Sequence, residues 1–206
     1  EFIANVSHEL KTPMTTIGGY VDGILDGTIP KDNEKHYLQI VSSEVRRLSR
    51  LVRSMLDLSR LQAQGIDESR KTRFDLGDVM GDVLITFEQK INARGLQVSV
   101  DLPEKPVWTK ADRDAITQVV YNLLDNAIKF CPVGGNLGLI LEQDGQKARL
   151  RIRNTGQTIP PEELPLLFDR FHKADKARSA DREGWGLGLY IAKTIIGAHG
   201  GEIWAT

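Results

Sequence analysis

The amino-acid sequence predicts an α+β protein in two parts: an antiparallel helical hairpin, which pairs with a second copy as a dimeric four-helix bundle, and an α/β sandwich that follows it. Three observations predict this. Apolar residues recur at helical spacing through two long stretches before residue 64, separated only by the turn-forming run Gly27-Thr28-Ile29-Pro30. From Gln64 to Thr72 the periodicity vanishes, as in a linker. Beyond it, alternating strand-like runs interleave with shorter helical ones. The expected division is a hairpin over 1–64, a linker over 65–72 and a sandwich over 73–206.

The first helix rests on Phe2, Ile3, Val6, Leu10, Ile17, Tyr20, Val21, Ile24 and Leu25, with polar residues between them. The second runs over 31–62, and its Leu38, Val41, Val45, Leu48, Val52 and Met55 alternate three- and four-residue steps, a heptad seam. A lone hairpin buries one face of each helix, so a wide apolar stripe calls for another layer, which a second copy supplies. In the second part, 76–91 reads as a helix, 96–102 as a strand and 112–130 as a strongly apolar helix. Residues 137–142 and 147–153 form a hairpin about Gln143-Asp144-Gly145-Gln146, with Ala148, Leu150 and Ile152 on one face. Residues 161–171 read as a short helix, 187–199 as a longer one, and 202–205 as the start of a strand. The expected sheet is largely antiparallel, with helices on one face.

Composition narrows the function. With 27 basic against 28 acidic residues the net charge is −1, which argues against a protein that grips nucleic acid by overall charge. The single cysteine, Cys131, rules out an internal disulfide and reads as a small buried residue. No run approaches the roughly 18 apolar residues of a bilayer span. Glu1-Phe2-Ile3 already lies inside an apolar repeat, so the chain reads as part of a longer one.

Three constellations carry chemistry. In Ser7-His8-Glu9-Leu10-Lys11-Thr12-Pro13, His8 is nucleophilic and largely neutral near pH 7. Glu9 beside it could hold the proton on one ring nitrogen and leave the other free to attack. Pro13 lacks an N–H, so the helix should bend here. The plain alternative is a solvated His-Glu step; a zinc-protease reading fails because Thr12 stands where a second histidine is required. On the helix over 112–130, Asn122 and Asn126 share a face, with Asp125 and Lys129 close by. Amide oxygens there suit a hard cation such as Mg²⁺ and the lysine suits a phosphate; the alternative is a polar face that meets only water. In Gly184-Trp185-Gly186-Leu187-Gly188-Leu189, glycines lead straight into a helix, where backbone N–H groups can approach a phosphate. The run is neither a Walker loop nor a dinucleotide fingerprint. The charged segment 172–183 before it reads as a lid.

In this order and at these separations the motifs resemble those of the histidine kinase family across essentially the whole chain. The stretch from Phe2 to Pro13 is similar to its phosphoacceptor box, Asn122 to Phe130 to its N box, Leu167-Phe168-Asp169-Arg170-Phe171 to its F box, and Gly184 to Leu189 to its second glycine box. The resemblance implies that the hairpin dimerises and displays His8 as phosphoacceptor, with Glu9 as its acid–base partner. Thr12 matches a position that orients water for dephosphorylating the partner. It implies an ATP-binding sandwich of the type shared with DNA gyrase, in which Asn126 and Asn122 hold Mg²⁺ against the ATP phosphates. Lys129 and Lys173 contact phosphate, Phe130 flanks the nucleotide, and Gly184, Gly186, Leu187, Gly188 and Leu189 border it. The implied partner is the receiver domain of a response regulator. The implied setting is the cytoplasmic portion of an inner- or plasma-membrane protein, anchored only through upstream segments.

One departure stands out. The family's first glycine box usually reads Asp-x-Gly-x-Gly, whereas this chain has Asn154-Thr155-Gly156-Gln157-Thr158. Asn154 accepts from an adenine amino group without charge assistance, and Thr158 disfavours positive φ. Residues 203–206 stop where the family continues into a further strand pair. His36 reads as a solvated residue near a helix start, His199 precedes a glycine turn, and His172 borders the lid. Two rival functions stand beside the kinase: a nucleotide-binding scaffold whose chemistry is dephosphorylation through Thr12, and a gyrase-like ATPase without phosphohistidine. The phosphoacceptor box on a dimerising hairpin argues against the second.

Overall fold

The computed structural model describes residues 2–65, 67–172 and 185–206. Helices α1 (Phe2–Leu25) and α2 (Lys31–Gln64) form the hairpin. Gly27 takes φ 77° at the turn, and Ile29 N–H donates to the Gly23 carbonyl at 2.7 Å. A Cβ at Gly23 would meet the Ile29 side chain at 3.1 Å, so a larger residue there requires Ile29 to shift. Hydrogen bonds from the Thr28 hydroxyl and backbone N–H hold the Asp26 carboxyl below the usual carboxylate range. Tyr20 and Tyr37, with ring centroids 4.9 Å apart, set the register of the two helices. Asp32 and Glu34 in the first turn of α2 favour its positive dipole end.

The heptad seam proves to be half of the story. Leu38, Val45 and Val52 are 51%, 46% and 43% exposed in the single chain, and Met14 and Leu56 on the hairpin are exposed too. A second line on α2, Glu44, Leu51 and Leu58, is the buried one. Leu51 belongs to the same apolar cluster as Trp185, Leu187 and Ile191, so the hairpin packs directly on the α/β domain, through α2 and α6.

That domain begins with a single 3-10 turn (Glu68–Arg70) and β1 (Lys71–Asp75), which pairs antiparallel with β3 (Trp108–Asp112). A second sheet has the order β2 (Gln97–Asp101), β4 (Asn136–Asp144), β5 (Lys147–Asn154). β2 runs parallel to β4, and β5 antiparallel. The helices are α3 (Leu76–Thr86), α4 (Glu88–Ala93), α5 (Arg113–Phe130) and α6 (Gly188–Ala198). Leu137, Leu139 and Leu141 alternate along β4 onto one face, and all are buried beneath α5, α3 and α6. Each such side chain contributes about 1.5–3 kcal/mol.

Several expectations are corrected. The helix over 76–91 is two helices, because Phe87 (φ −98°, ψ 0°) turns its ring into the core beside Tyr121, centroids 4.8 Å apart. The helix over 161–171 is reduced to one 3-10 turn (Leu164–Leu166), since Pro165 lacks an N–H and Phe171 takes φ 60°. Residues 202–205 form no strand, and none of the described strands pairs with them. Two of the three described strand pairings are antiparallel, as expected, and only β2–β4 is parallel; β1 and β3 were not anticipated.

Both unanticipated strands end in an aspartate that caps the next helix. Asp75 accepts from Gly77 N–H and Val107 N–H, both at 3.0 Å. Asp112, 6% exposed, accepts from Asp114 N–H at 3.1 Å and Ala115 N–H at 3.2 Å, and pairs with Arg70 at 3.2 Å. Its own N–H donates to His199 Nε2 at 3.1 Å, while His199 Nδ1 lies 2.9 Å from the Ile195 carbonyl. An N–H cannot accept and a carbonyl cannot donate, so this imidazole is neutral with its proton on Nδ1. It ties the end of α6 to the start of α5. Replacing the cap, Asp112→Ala, is expected to cost the α/β domain about 1–2 kcal/mol, read as a lowered urea midpoint at unchanged slope, while Asp112→Asn retains most of it.

Candidate phosphoacceptor and nucleotide site

On α1, His8 is exposed and Glu9 half-buried. Successive helical residues project about 100° apart, and among the described residues the two side chains share no hydrogen bond. Thr12 is the residue on the His8 face, one turn on, and its hydroxyl donates to the His8 carbonyl at 3.3 Å. Pro13 is fully buried, and α1 runs through it as one helix. The imidazole therefore stands free above a polar helix face, open to a reagent arriving from outside.

The α/β side assembles around α5. Its apolar face (Ile116, Val119, Val120, Leu124, Ala127, Ile128) is buried, which turns Asn122, Asn126 and Lys129 the other way. Asn122 Nδ2 donates to the Gly188 carbonyl at 3.2 Å, bringing the start of α6 against α5. Asn126 is half-buried and makes no hydrogen bond among the described residues. Asp125 is separated from this group by its ion pair with Lys90 at 2.9 Å. Lys129 Nζ lies 5.3 Å from the Phe130 ring, which is 61% exposed.

Asn154 is exposed, its Nδ2 donating to the Thr155 carbonyl at 3.0 Å. Gly156 passes so close to the end of α5 that a Cβ there would sit 3.0 Å from the Phe130 carbonyl oxygen. Thr155, which the motif reading passed over as a variable position, fastens this turn: its hydroxyl accepts from Asn136 N–H at 2.8 Å and its N–H donates to the Asn136 carbonyl at 2.9 Å. Gly186 takes φ 66°, and a Cβ would lie 2.7 Å from the Phe171 and His172 backbone. Phe171 N–H donates to the Gly186 carbonyl at 3.0 Å, so residues 171–172 and 185–186 are joined. Lys173, Gly184 and most of the expected lid lie outside the described residues. Leu187 is buried, Leu189 half-buried, and Gly188 opens α6 with its first N–H groups uncapped by side chains. His172 pairs with Glu163 at 2.7 Å.

Two amide side chains on one helical face suit a hard cation. No cluster of three His, Cys, Asp or Glu side chains able to cage a metal occurs among the described residues. A cation held by Asn126 and Asn122 would thus need phosphate oxygens and water to complete its shell, which is how Mg²⁺ accompanies a nucleotide.

An exposed helical histidine facing outward, joined to an α/β layer with glycine turns converging on a helix start, defines a two-part phosphotransfer architecture. Residues 1–64 match the His Kinase A (phospho-acceptor) domain, and residues 111–206 match the Histidine kinase-, DNA gyrase B-, and HSP90-like ATPase. The chain belongs to the histidine kinase family. It is 38% identical over 204 residues to sensor protein SrrB of Staphylococcus aureus, covering 98% of this chain and 35% of SrrB. The chain thus spans about a third of the length of the curated relatives it matches. Histidine kinase AdeS of Acinetobacter baumannii superposes with TM-score 0.74 at 31% identity, covering 93% of this chain and 86% of that one. Histidine kinase ThkA, solved in complex with response regulator protein TrrA, superposes with TM-score 0.76 at 29% identity, covering 99% of this chain and 56% of that one. No described helix is long and apolar enough to cross a membrane.

Gly156→Ala is expected to weaken ATP binding about five- to tenfold, equivalent to about 1–1.4 kcal/mol, because either the Phe130 carbonyl or the Asn154 amide must yield. Nucleotide titration checks this, with thermal melting as the control for folding.

Proposed function

We propose that this chain is the catalytic region of a sensor histidine kinase: it transfers the γ-phosphoryl group of ATP to His8, and from there to an aspartate on the receiver domain of a response regulator. The observation that carries the proposal is the outward, unobstructed imidazole of His8 on a hairpin fused to the ATPase-type domain. One ring nitrogen of His8 attacks the γ-phosphorus in line, the bond to the ADP oxygen breaks, and ADP leaves. Glu9 accepts the proton that the attacking imidazole must shed, after a rotation that brings the two side chains together. Catalysis of this kind rests on positioning and charge neutralisation.

The proposed division of labour follows the domain extents 1–64, 65–72 and 73–206. Asn126 and Asn122 hold Mg²⁺, which neutralises phosphate charge when bound. Lys129 and Lys173 contact phosphate, Phe130 flanks the base, and Asn154 and Gly156 receive the adenine end. Gly184, Gly186, Leu187, Gly188 and Leu189 line the phosphate side. Thr12, on the His8 face, orients water when the same surface removes phosphate from the regulator. The exposed line of Leu38, Val45 and Val52 supports a homodimer. ThkA's complex with TrrA supports the receiver domain as partner. The kinship with sensor proteins supports a cytoplasmic position below a membrane anchor.

Labelled ATP with Mg²⁺ is expected to place acid-labile, base-stable phosphate on the parent chain and none on His8→Ala; equal labelling of both would overturn the proposal. Unlabelled parent chain that still dephosphorylates a receiver domain would instead favour a phosphatase-biased nucleotide scaffold. Asn154→Asp restores a charged acceptor and is expected to tighten ATP binding by about 1 kcal/mol. The same titration would return an unchanged constant if the neutral amide serves equally well.

A further inference from the structure

Helix α5 ends where the candidate adenine contacts begin, and one arginine from another element holds that end. The Arg94 guanidinium donates from Nη2 to the Cys131 carbonyl at 2.6 Å, and the Arg94 carbonyl accepts from Gly134 N–H at 2.9 Å. Arg94 itself is the C-terminal cap of α4. Three residues on, Gln97 N–H donates to the Gly135 carbonyl at 2.8 Å. The run 131–135, by which the chain leaves α5, is thus gripped by residues 94–97. Arg94 is half-buried, and its Nε is one of three buried side-chain nitrogen or oxygen atoms without a hydrogen-bond partner among the described residues.

The grip passes directly to the turn over 154–156. Cys131 is fully buried, its Sγ donating to the Asn136 carbonyl at 3.5 Å and lying 3.6 Å from Thr155 Oγ1. Thr155 Oγ1 in turn accepts from Asn136 N–H at 2.8 Å. There is no slack between the two segments: a Cβ at Gly135 would lie 2.5 Å from Thr155 Oγ1 and 2.7 Å from Cys131 Sγ. One residue before Cys131, Phe130 presents an exposed ring and the carbonyl that Gly156 abuts. The last carbonyls of a helix lack partners within it and form its negative dipole end, so a guanidinium there makes a charge-assisted bond. The stranded Nε offsets that gain, because its lost hydration is not replaced. Arg94 therefore adds little to stability as a whole. What it adds is direction at the exit from α5.

We propose that Arg94 is a positioning residue of the kinase, which fixes the exit of α5 so that Phe130, Asn154 and Gly156 stand ready for the adenine ring before ATP arrives. This deepens the kinase reading above and rests on its assignment of those three residues. A corner that is assembled only on binding spends binding energy on its own ordering, and Arg94 removes that cost. The phosphate side is held separately, by the bond from Asn122 to the Gly188 carbonyl. The influence of Arg94 is accordingly confined to the base.

The test uses the whole chain. Arg94→Met keeps an apolar stem and removes both the donated bond and the stranded N–H. It is expected to raise the KM for ATP in His8 labelling about tenfold, with labelling at saturating ATP and the melting temperature little changed. Calorimetric titration in Mg²⁺ separates the two ends of the nucleotide: ADP is expected to bind more weakly by the same factor, and inorganic tripolyphosphate as well as before. Arg94→Lys keeps the charge and a donor, and is expected to recover all but about twofold. Where Arg94→Met gives no cooperative melt, Arg94→Gln, whose shorter amide falls short of the Cys131 carbonyl, carries the same expectations. Equal ADP affinity in the parent and the variant would overturn the proposal. So would a parallel loss for tripolyphosphate, which would make Arg94 a support of the whole domain, or a lysine variant as weak as the methionine one. If the parent chain binds ADP yet takes no label, the kinase reading fails by itself and the titrations still decide the role of Arg94.

Discussion

Helix α5 shares one buried apolar cluster with the β4–β5 sheet and packs on β5, and the placement of nearly every candidate nucleotide contact descends from that burial. Leu137, Leu139 and Leu141 of the sheet and Val119, Val120, Leu124 and Ile128 of the helix are all buried in that cluster. With that face committed, a helix has one orientation left for Asn122, Asn126 and Lys129. The two flanking turns are then pressed onto the helix rather than left to find it. Gly156 abuts the carbonyl at its C-terminal end, and Gly188 meets Asn122 along its length. Asp112 fixes where the helix starts, and through its own N–H and His199 it also fixes the far end of α6. The candidate site is thus framed by rigid elements, with glycine only where backbone must come close.

The hairpin solves the opposite problem. Its histidine has to be reachable, so the local design is an exposed imidazole on a helix held from below. Leu10, two residues on, packs toward the core cluster, and Pro13 is fully buried. His8 is thereby anchored through its backbone while its ring stays free. The exposed apolar line on α2 leaves one face for a second hairpin, and the buried line gives the other face to the ATP-binding domain. One helix serves two neighbours because heptad spacing allows two parallel stripes.

Much of this was visible in the residue pattern, where the pattern was long. The two hairpin helices and α5 extend over many turns, and their periodicity survives any single exception. The β4–β5 hairpin declared itself through alternation about Asp144-Gly145. The strands β1 and β3 did not, because five residues carrying Lys71, Arg73 and Asp75, or Lys110 and Asp112, look like solvated loop. Their apolar content is slight, and they are held largely by pairing with one another. The break at Phe87 was equally hidden, since a ring turned inward keeps the apolar count of a continuous helix. Among site residues the asparagines, glycines and His8 could be picked out by chemical type and spacing. Thr155 could not, as its role is a hydroxyl bond to a backbone N–H that only the folded turn creates. Outside the site, nor could the packing of the Arg47 guanidinium over the ring of Trp185, 4.1 Å from its centroid, since the two residues are remote in the chain.

That last contact shows how firmness is distributed. Inside each domain, buried polar groups are almost all satisfied: Asp75 and Asp112 cap helices, His199 uses both ring nitrogens, and Thr155 uses its hydroxyl and its N–H. Between the domains, the buried Arg47 Nε and Trp185 Nε1 lack partners among the described residues. A chain selected only for stability has ready remedies for such a defect, because an apolar residue at Arg47 and a phenylalanine at Trp185 would remove it. The junction keeps both donors nonetheless, so its burial returns less than the packing inside either domain.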